Sequence, residues 1–294
     1  MRSVDQNMEI CTMISRKKQT STKPVALSIA GSDSGGGAGI QADIRTFSSC
    51  GVFPTTVITA LTAQNPFEVR DVLGIPETFV ISQLQTIVDC FDIKAIKTGM
   101  LYRAEIIHNL CLLFRTESFC KKKIPIVVDP VMISTSGAKL VSDEAIDIYK
   151  NQLLPLCTLM TPNIDEACVL LQDDHSTDIV IDQYNQLQMA RQLHQKYACA
   201  VLLKGGHLEG HPTDILIEKD GRETQIQHVR LNNICSHGTG CSLSAAITAG
   251  LAKGWDIQKS VQIGLHFVQS ALQEPCQVDI IGKEEPIQLL DLEK

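Results

Sequence analysis

The chain has 294 residues, a net charge of −7, 44% hydrophobic residues and 20% charged residues. That acidic balance argues against a nucleic-acid partner and offers a membrane surface no basic anchor, and no apolar run approaches the ~20 residues of a spanning helix. The 11 cysteines are odd in number, lack a CxxC pair and fall mostly inside apolar runs. They read as buried reduced thiols of a cytoplasmic protein, not as a disulfide scaffold or a zinc site.

Residues 1–23 are polar, with Arg16-Lys17-Lys18 in the middle, and are expected to be a disordered extension. Residues 24–294 are expected to form a single domain. Apolar runs of β type alternate there with longer segments of helical period. This predicts an α/β fold of three layers, a mostly parallel central sheet with helices on both faces. The expected strands are Val25–Ala30, Thr55–Leu61, Lys94–Thr98, Ile126–Asp129, Leu159–Thr161 and Ala200–Lys204. The expected helices are Ala38–Cys50, Pro76–Phe91, Ala104–Phe114, Ser142–Leu153, Ile164–Leu171, Gln183–Lys196, Thr239–Lys253 and Ile257–Leu272. Pro76 suits a first helical position. Asp214–Lys219 and Glu223–Val229, joined around Asp220-Gly221, read as a hairpin.

In such a sheet, ligands lie beyond the carboxyl ends of the strands. The unusual residues gather there. Gly31-Ser32-Asp33-Ser34-Gly35-Gly36-Gly37-Ala38-Gly39 follows the first strand, and Ala63-Gln64-Asn65 follows the second. Gly99-Met100, Asp129-Pro130-Val131-Met132, Thr161-Pro162-Asn163 and Lys204-Gly205-Gly206-His207 follow later ones. One rim carrying all these loops is the argument for an active site.

The stretch Ser236-His237-Gly238-Thr239-Gly240-Cys241 opens a helix through a glycine turn. Its first turn has unpaired N–H groups and a partial positive charge, so it can hold a phosphate. Cys241 sits at that mouth, where its thiol pKa is expected to be depressed and where it can receive the proton of an attacking hydroxyl. A plain helix cap with a buried cysteine is the other reading. Gly37-x-Gly39-x-x-Ala42 is a loose dinucleotide fingerprint, but the second strand ends on Gln64 and Asn65 with no acid before Glu68. The glycine loop can instead let backbone approach a small substrate, with Asp43 pointing at an amino group or standing as a solvated first-turn acid. Gln64 presents donor and acceptor in one plane, which suits the edge of a heteroaromatic ring, or closes a turn on its own backbone. Asp129 is a candidate magnesium ligand or a turn former. Asn163 and Glu166 fit a capping box as well as a metal or phosphate role. Lys204, ending an apolar strand, can bring a point positive charge to transferring phosphates or snorkel. His207 and His237 read as loop histidines without a role. There is no Gly-x4-Gly-Lys-Ser/Thr loop and no protein-kinase motif set.

Seven segments in order carry a resemblance: Ala30–Asp43, Thr59–Asn65, Lys97–Leu101, Val128–Met132, Thr161–Asn163, Leu203–His207 and His237–Cys241. Over roughly residues 24–273 the chain resembles the ribokinase-like superfamily and, within it, the bacterial hydroxymethylpyrimidine/phosphomethylpyrimidine kinases of thiamine biosynthesis. The resemblance implies an enzyme that uses ATP and Mg2+ to phosphorylate 4-amino-5-hydroxymethyl-2-methylpyrimidine and then its monophosphate. It implies a pyrimidine held by Gly31, Ala38, Asp43, Gln64, Met100 and Val131. It also implies an anion hole at Gly238, Thr239, Gly240 and Cys241, ATP contacts from Lys204 and Asn163, a metal site at Asp129 and Glu166, and a homodimer. Pyridoxine or pyridoxal kinase on the same fold is the alternative, and a non-catalytic pyrimidine-binding regulator is an alternative of another class. Two departures stand out. Gly282-Lys283-Glu284-Glu285-Pro286 replaces a Gly/His-rich segment, and no proline follows Asp33.

Overall fold

The computed structural model describes residues 22–132, 142–172, 183–206, 212–228, 237–281 and 286–293. His207, Val229, Ser236 and the segment 282–285, all singled out above, lie outside the described residues.

Strands β1 (Val25–Asp33), β2 (Phe53–Asn65), β3 (Glu68–Gly74), β4 (Ile93–Thr98), β5 (Ile126–Val128), β6 (Leu159–Met160), β7 (Ala200–Leu203), β8 (Thr213–Ile217) and β9 (Glu223–Gln227) form one sheet in the order β3-β2-β1-β4-β5-β6-β7-β8-β9. The pairs from β2 through β7 are parallel. The edges are antiparallel, β3 on β2 at one side and the β8–β9 hairpin on β7 at the other.

Both faces of the central strands are apolar because both are covered. Leu27, Ile29, Ile96, Val128, Met160, Val201 and Leu203 face one layer, shared with helices α2 (Glu77–Cys90), α3 (Ala104–Phe114), α6 (Ile164–Leu171) and α7 (Gln183–Tyr197). The alternate residues Ala26, Ala95, Val127, Leu159, Ala200 and Leu202 face α1 (Gly39–Ser49), α8 (Thr239–Ala252) and α9 (Ile257–Gln273). Alanine on that face lets α8 lie close to the sheet. Of the 14 residues of α8, Ser242 through Ala252 are all buried.

The differences from expectation have local causes. Strand β3 went unrecognised because Glu68, Arg70 and Asp71 break its apolar run and only two residues separate it from β2, at a turn where Asn65 Oδ1 accepts from the N–H groups of Phe67 and Glu68. Short α4 (Glu117–Lys122) and a separate hairpin of β10 (Cys276–Val278) and β11 (Ile287–Leu289) also lacked a sequence signal. The single helix expected over 142–153 is α5 (Asp143–Ile148), capped by Ser142 and passing into a π-helical turn, Tyr149–Leu153, ahead of Pro155. Pro76 stands one residue before its helix, with ψ at 135°, and its carbonyl accepts from the N–H groups of Phe79 and Val80.

Candidate active site

The glycine loop after β1 is built around Asp33. Its carboxylate accepts from the N–H groups of Gly35 at 2.8 Å, Gly37 at 3.1 Å and Ala38 at 2.9 Å. His237 Nε2 lies 3.0 Å from the same carboxylate. Burial works to raise the Asp33 pKa, but His237 and the loop N–H groups outweigh it and hold the group below the usual carboxylate value. Sequence reasoning gave Asp33 and His237 no role. Asp-x-Gly in a turn was the available signal for the first, and none marked the second.

The start of α8 is pressed onto this loop. Gly238, at φ 85°, is the N-cap residue and makes no side-chain cap bond. A Cβ on Gly238 would collide with the Gly37 carbonyl, so only glycine allows both the backbone angle and the close approach. The first turn of α8 holds no acid to neutralise its N–H groups. A Cβ on Gly240 would lie 3.4 Å from Lys204 Nζ and 3.9 Å from Asp129 Oδ2, which places both charges against the turn.

Asp129 directly follows β5 and is 2% exposed. It receives Lys204 Nζ at 3.3 Å and the Ser244 hydroxyl at 3.0 Å. Burial opposes the charge on Lys204, but Asp129 and Glu166 outweigh it and raise its pKa, so the ammonium persists. Asn163 and Glu166 form a complete capping box at the start of α6, each side chain bonded to the other's backbone N–H at 2.8 Å. Glu166 is 5% exposed, and burial pushes its pKa to about 7 against the pull of Lys204.

Two expectations are corrected. Asp43 is not a solvated first-turn acid. It is wholly buried, with both carboxylate oxygens 2.8 Å from Lys97 Nζ and one 2.5 Å from Ser28 Oγ. The second turn of α1 aims it inward, at a lysine on the sheet, where an unpaired charge could not remain. Burial works to lower the Lys97 pKa, but Asp43, Cys241 and Asp129 more than offset it and keep the proton in place. Lys97 was not assigned from sequence, although a lysine in the apolar run Ile93–Thr98 was the available signal. The Cys241 thiol is not depressed. Burial pushes it up to about 11, with Asp129 and Asp43 adding to the rise, while Lys97 and the Gly39 backbone pull the other way. The helix mouth is outweighed by lost hydration and two nearby acids.

The remaining expected contacts line the acceptor side of the rim. A Cβ on Gly31 would collide with the Met100 side chain, so these two are in contact. Thr59 Oγ1 holds the Met100 carbonyl at 2.6 Å. Ala38 caps α1, and Val131 lies in the loop after Asp129, partly exposed. Gln64, partly buried, has its amide 3.4 Å from His237 Nε2 and 3.1 Å from Thr62 Oγ1.

A glycine loop, an uncapped helix start and a lysine–carboxylate pair on one rim define a small-molecule kinase of the ribokinase-like fold. A family model described as phosphomethylpyrimidine kinase matches residues 33–287. The hydroxymethylpyrimidine/phosphomethylpyrimidine kinase of Haemophilus influenzae is 40% identical over 257 residues, covering 86% of this chain and 92% of its own. The thiamine biosynthetic bifunctional enzyme TH1, chloroplastic, of Arabidopsis thaliana is 38% identical over 250 residues, covering 85% of this chain and 46% of its own. Among solved structures, the pyridoxal kinase from Staphylococcus aureus in complex with AMP-PCP and pyridoxal superposes with a TM-score of 0.76 at 27% identity, covering 93% of this chain and 94% of that one. The chain belongs to the phosphomethylpyrimidine kinase family.

Proposed function

We propose that the enzyme transfers the γ-phosphate of ATP to the hydroxymethyl arm of 4-amino-5-hydroxymethyl-2-methylpyrimidine, and then a second phosphate to the product, as a step of thiamine biosynthesis. The observation that carries this reading is the uncapped start of α8 packed between the Asp33 loop and the Asp129–Lys204 pair. The N–H groups of Gly238–Cys241 receive the transferring phosphoryl group. Lys204 neutralises the β- and γ-phosphates as charge moves to the leaving group. Gln64, Gly31, Met100, Ala38 and Val131 hold the ring so that its hydroxyl lies in line. Asn163 lies beside Lys204 at the nucleotide side.

Asp129 and Glu166 are the residues that would hold magnesium. Among the described residues no group of three or more His, Cys, Asp or Glu gathers as a cage. Magnesium suits such a site, since it takes one or two carboxylates and fills its shell with water and phosphate. A Glu166 carboxyl with a pKa of about 7 is one that a nearby cation readily ionises. When bound, the ion neutralises charge on the phosphates.

Proton removal is late in a loose transfer, and Cys241 can accept the hydroxyl proton as the new bond completes only in its thiolate form, the minor form at neutral pH because burial pushes the thiol up to about 11. The second acceptor is a phosphate, already anionic, and needs no base. A cytoplasmic homodimer belongs to the same reading, and light scattering of the full chain tests the assembly. The deciding assay offers the pyrimidine and pyridoxine separately with Mg-ATP and resolves mono- and diphosphate products. A pyrimidine diphosphate supports the proposal. Pyridoxine phosphate alone would move it to a vitamin B6 kinase, a reading favoured by the superposition on a pyridoxal kinase. Binding without transfer would indicate a pyrimidine-binding regulator.

A further inference from the structure

Lys204 stands where β7 and β8 stop pairing through their backbones. The antiparallel ladder between them ends with Leu203 opposite Ile215, and its continuation would set Gly205 opposite Thr213. Side chains take over at that point. The Gly205 N–H donates to Asp214 Oδ1 at 2.9 Å, and the Thr213 carbonyl accepts from Gln186 Nε2 at 2.7 Å. Gly205, Asp214 and Gln186 are all buried. A Cβ on Gly205 would collide with the Thr213 carbonyl, so glycine is what lets the two backbones come this close.

Asp214 is held in turn. Its second oxygen, Oδ2, lies 2.9 Å from Nε2 of His228, the residue after β9. The bond to Asp214 raises the His228 pKa above the ordinary histidine value, with burial opposing and Gln269 of α9 adding to the rise. The Lys204 backbone is thereby fixed on both sides. Its own N–H donates to the Pro162 carbonyl at 2.9 Å, and the peptide N–H that follows it goes to Asp214. From that backbone the ammonium reaches Asp129, 3.3 Å away.

We propose that Asp214, held by His228, is a positioning residue that sets the backbone from which Lys204 reaches the transferring phosphates. The inference rests on the phosphate role proposed for Lys204. Asp214 acts through the lysine and spends its own oxygens on Gly205 and His228. A lysine ammonium rides on a flexible stem, so the placement of its root decides where the charge lies. A misplacement of about 1 Å at a reacting centre can cost ~10²-fold in rate.

The first test needs no substrate. In the ligand-free native protein the Gly205 amide should exchange slowly with solvent, and Asp214→Ala should speed its exchange ~10-fold or more, the effect of one lost hydrogen bond to a charged group. Asp214→Asn keeps an oxygen for Gly205 but removes the charge. The amide should then stay protected, while the His228 titration followed by NMR moves down. Gly205 exchange that is equal in the native and alanine forms overturns the proposal, whatever the enzyme acts on.

The second test is a cycle with Lys204→Met, read on kcat. Asp214→Ala should lower kcat ~10-fold or more in the native background and change it little in the Lys204→Met background, where the residue it acts through is gone. Asp214→Asn, the milder change, should retain most of the native rate, and any loss it shows should likewise vanish without Lys204. The same fold loss in both backgrounds overturns the proposal and leaves Asp214 with a role in fold stability alone. If the native enzyme transfers phosphate to neither ring, the proposed function fails, and the same cycle read on ATP affinity decides the role of Asp214.

Discussion

Lys204 Nζ lies 3.3 Å from Asp129 Oδ1, although the two residues are 75 positions apart and directly follow different strands. Strands β5, β6 and β7 are parallel neighbours, so their carboxyl ends deliver both side chains to one edge. The pair gives a cation that stays charged and an acid that stays at hand. Lys204→Met is expected to lower kcat by ~10²–10³-fold, the usual loss for one preorganised electrostatic contact, while the KM for the pyrimidine changes little. Steady-state kinetics at saturating ATP check this. An unchanged kcat with only a raised KM for ATP would make Lys204 a binding residue.

Cys241 has its pKa pushed up to about 11, so the thiol keeps its proton at neutral pH. If the thiolate is the base, the first transfer should quicken ~10-fold per pH unit from about pH 7 to 9, while the second stays flat. Cys241→Ala should cost the first transfer ~10²–10⁴-fold and remove that slope. Single-turnover measurement of each transfer separates them. Equal losses in both steps would assign Cys241 to positioning.

The Lys97–Asp43 pair is fully buried, and removing one partner strands the other charge. Lys97→Met is expected to destabilise the fold by ~3–5 kcal/mol in urea unfolding. The double variant Lys97→Met/Asp43→Asn should recover much of that. A double variant as unstable as the single one would place the cost in packing instead.

Glu166 has a folded pKa raised to about 7 from 4.5, so the fold prefers its protonated form. The stability this gives is fully present below about pH 4.5 and is lost as pH rises through 7. Glu166→Gln keeps a capping-box side chain but cannot ionise. The stability difference, native minus variant, should therefore fall between about pH 4.5 and 7 and level off above. A difference that is flat over this range would mean the carboxyl titrates normally.

Much of this enzyme is legible in its sequence. Continuous apolar runs separated by helical segments specify a parallel sheet covered on both faces, because each strand residue must meet one apolar layer or the other. Glycine at 238 marks where two backbones meet and glycine at 31, 37 and 240 where a side chain from another element comes close, and an Asp, an Asn and a Lys at strand ends mark the rim. Edge strand β3 was lost because half its residues face water, which blurs the apolar run that marks a strand.

What only the tertiary structure decided is the partner of each charge. Asp43 looks like a surface acid on its helix until the sheet brings Lys97 and Ser28 to it. His237 looks like a loop residue until α8 seats it against Asp33. The Cys241 thiol has a helix start in its favour, yet its ionisation is set by burial and by acids contributed from α1 and the end of β5. Local sequence determines backbone geometry, because sterics and hydrogen bonds act over a few residues. Charge state and hydrogen-bond direction depend on what lies within a few ångströms in space, and those neighbours arrive from distant parts of the chain.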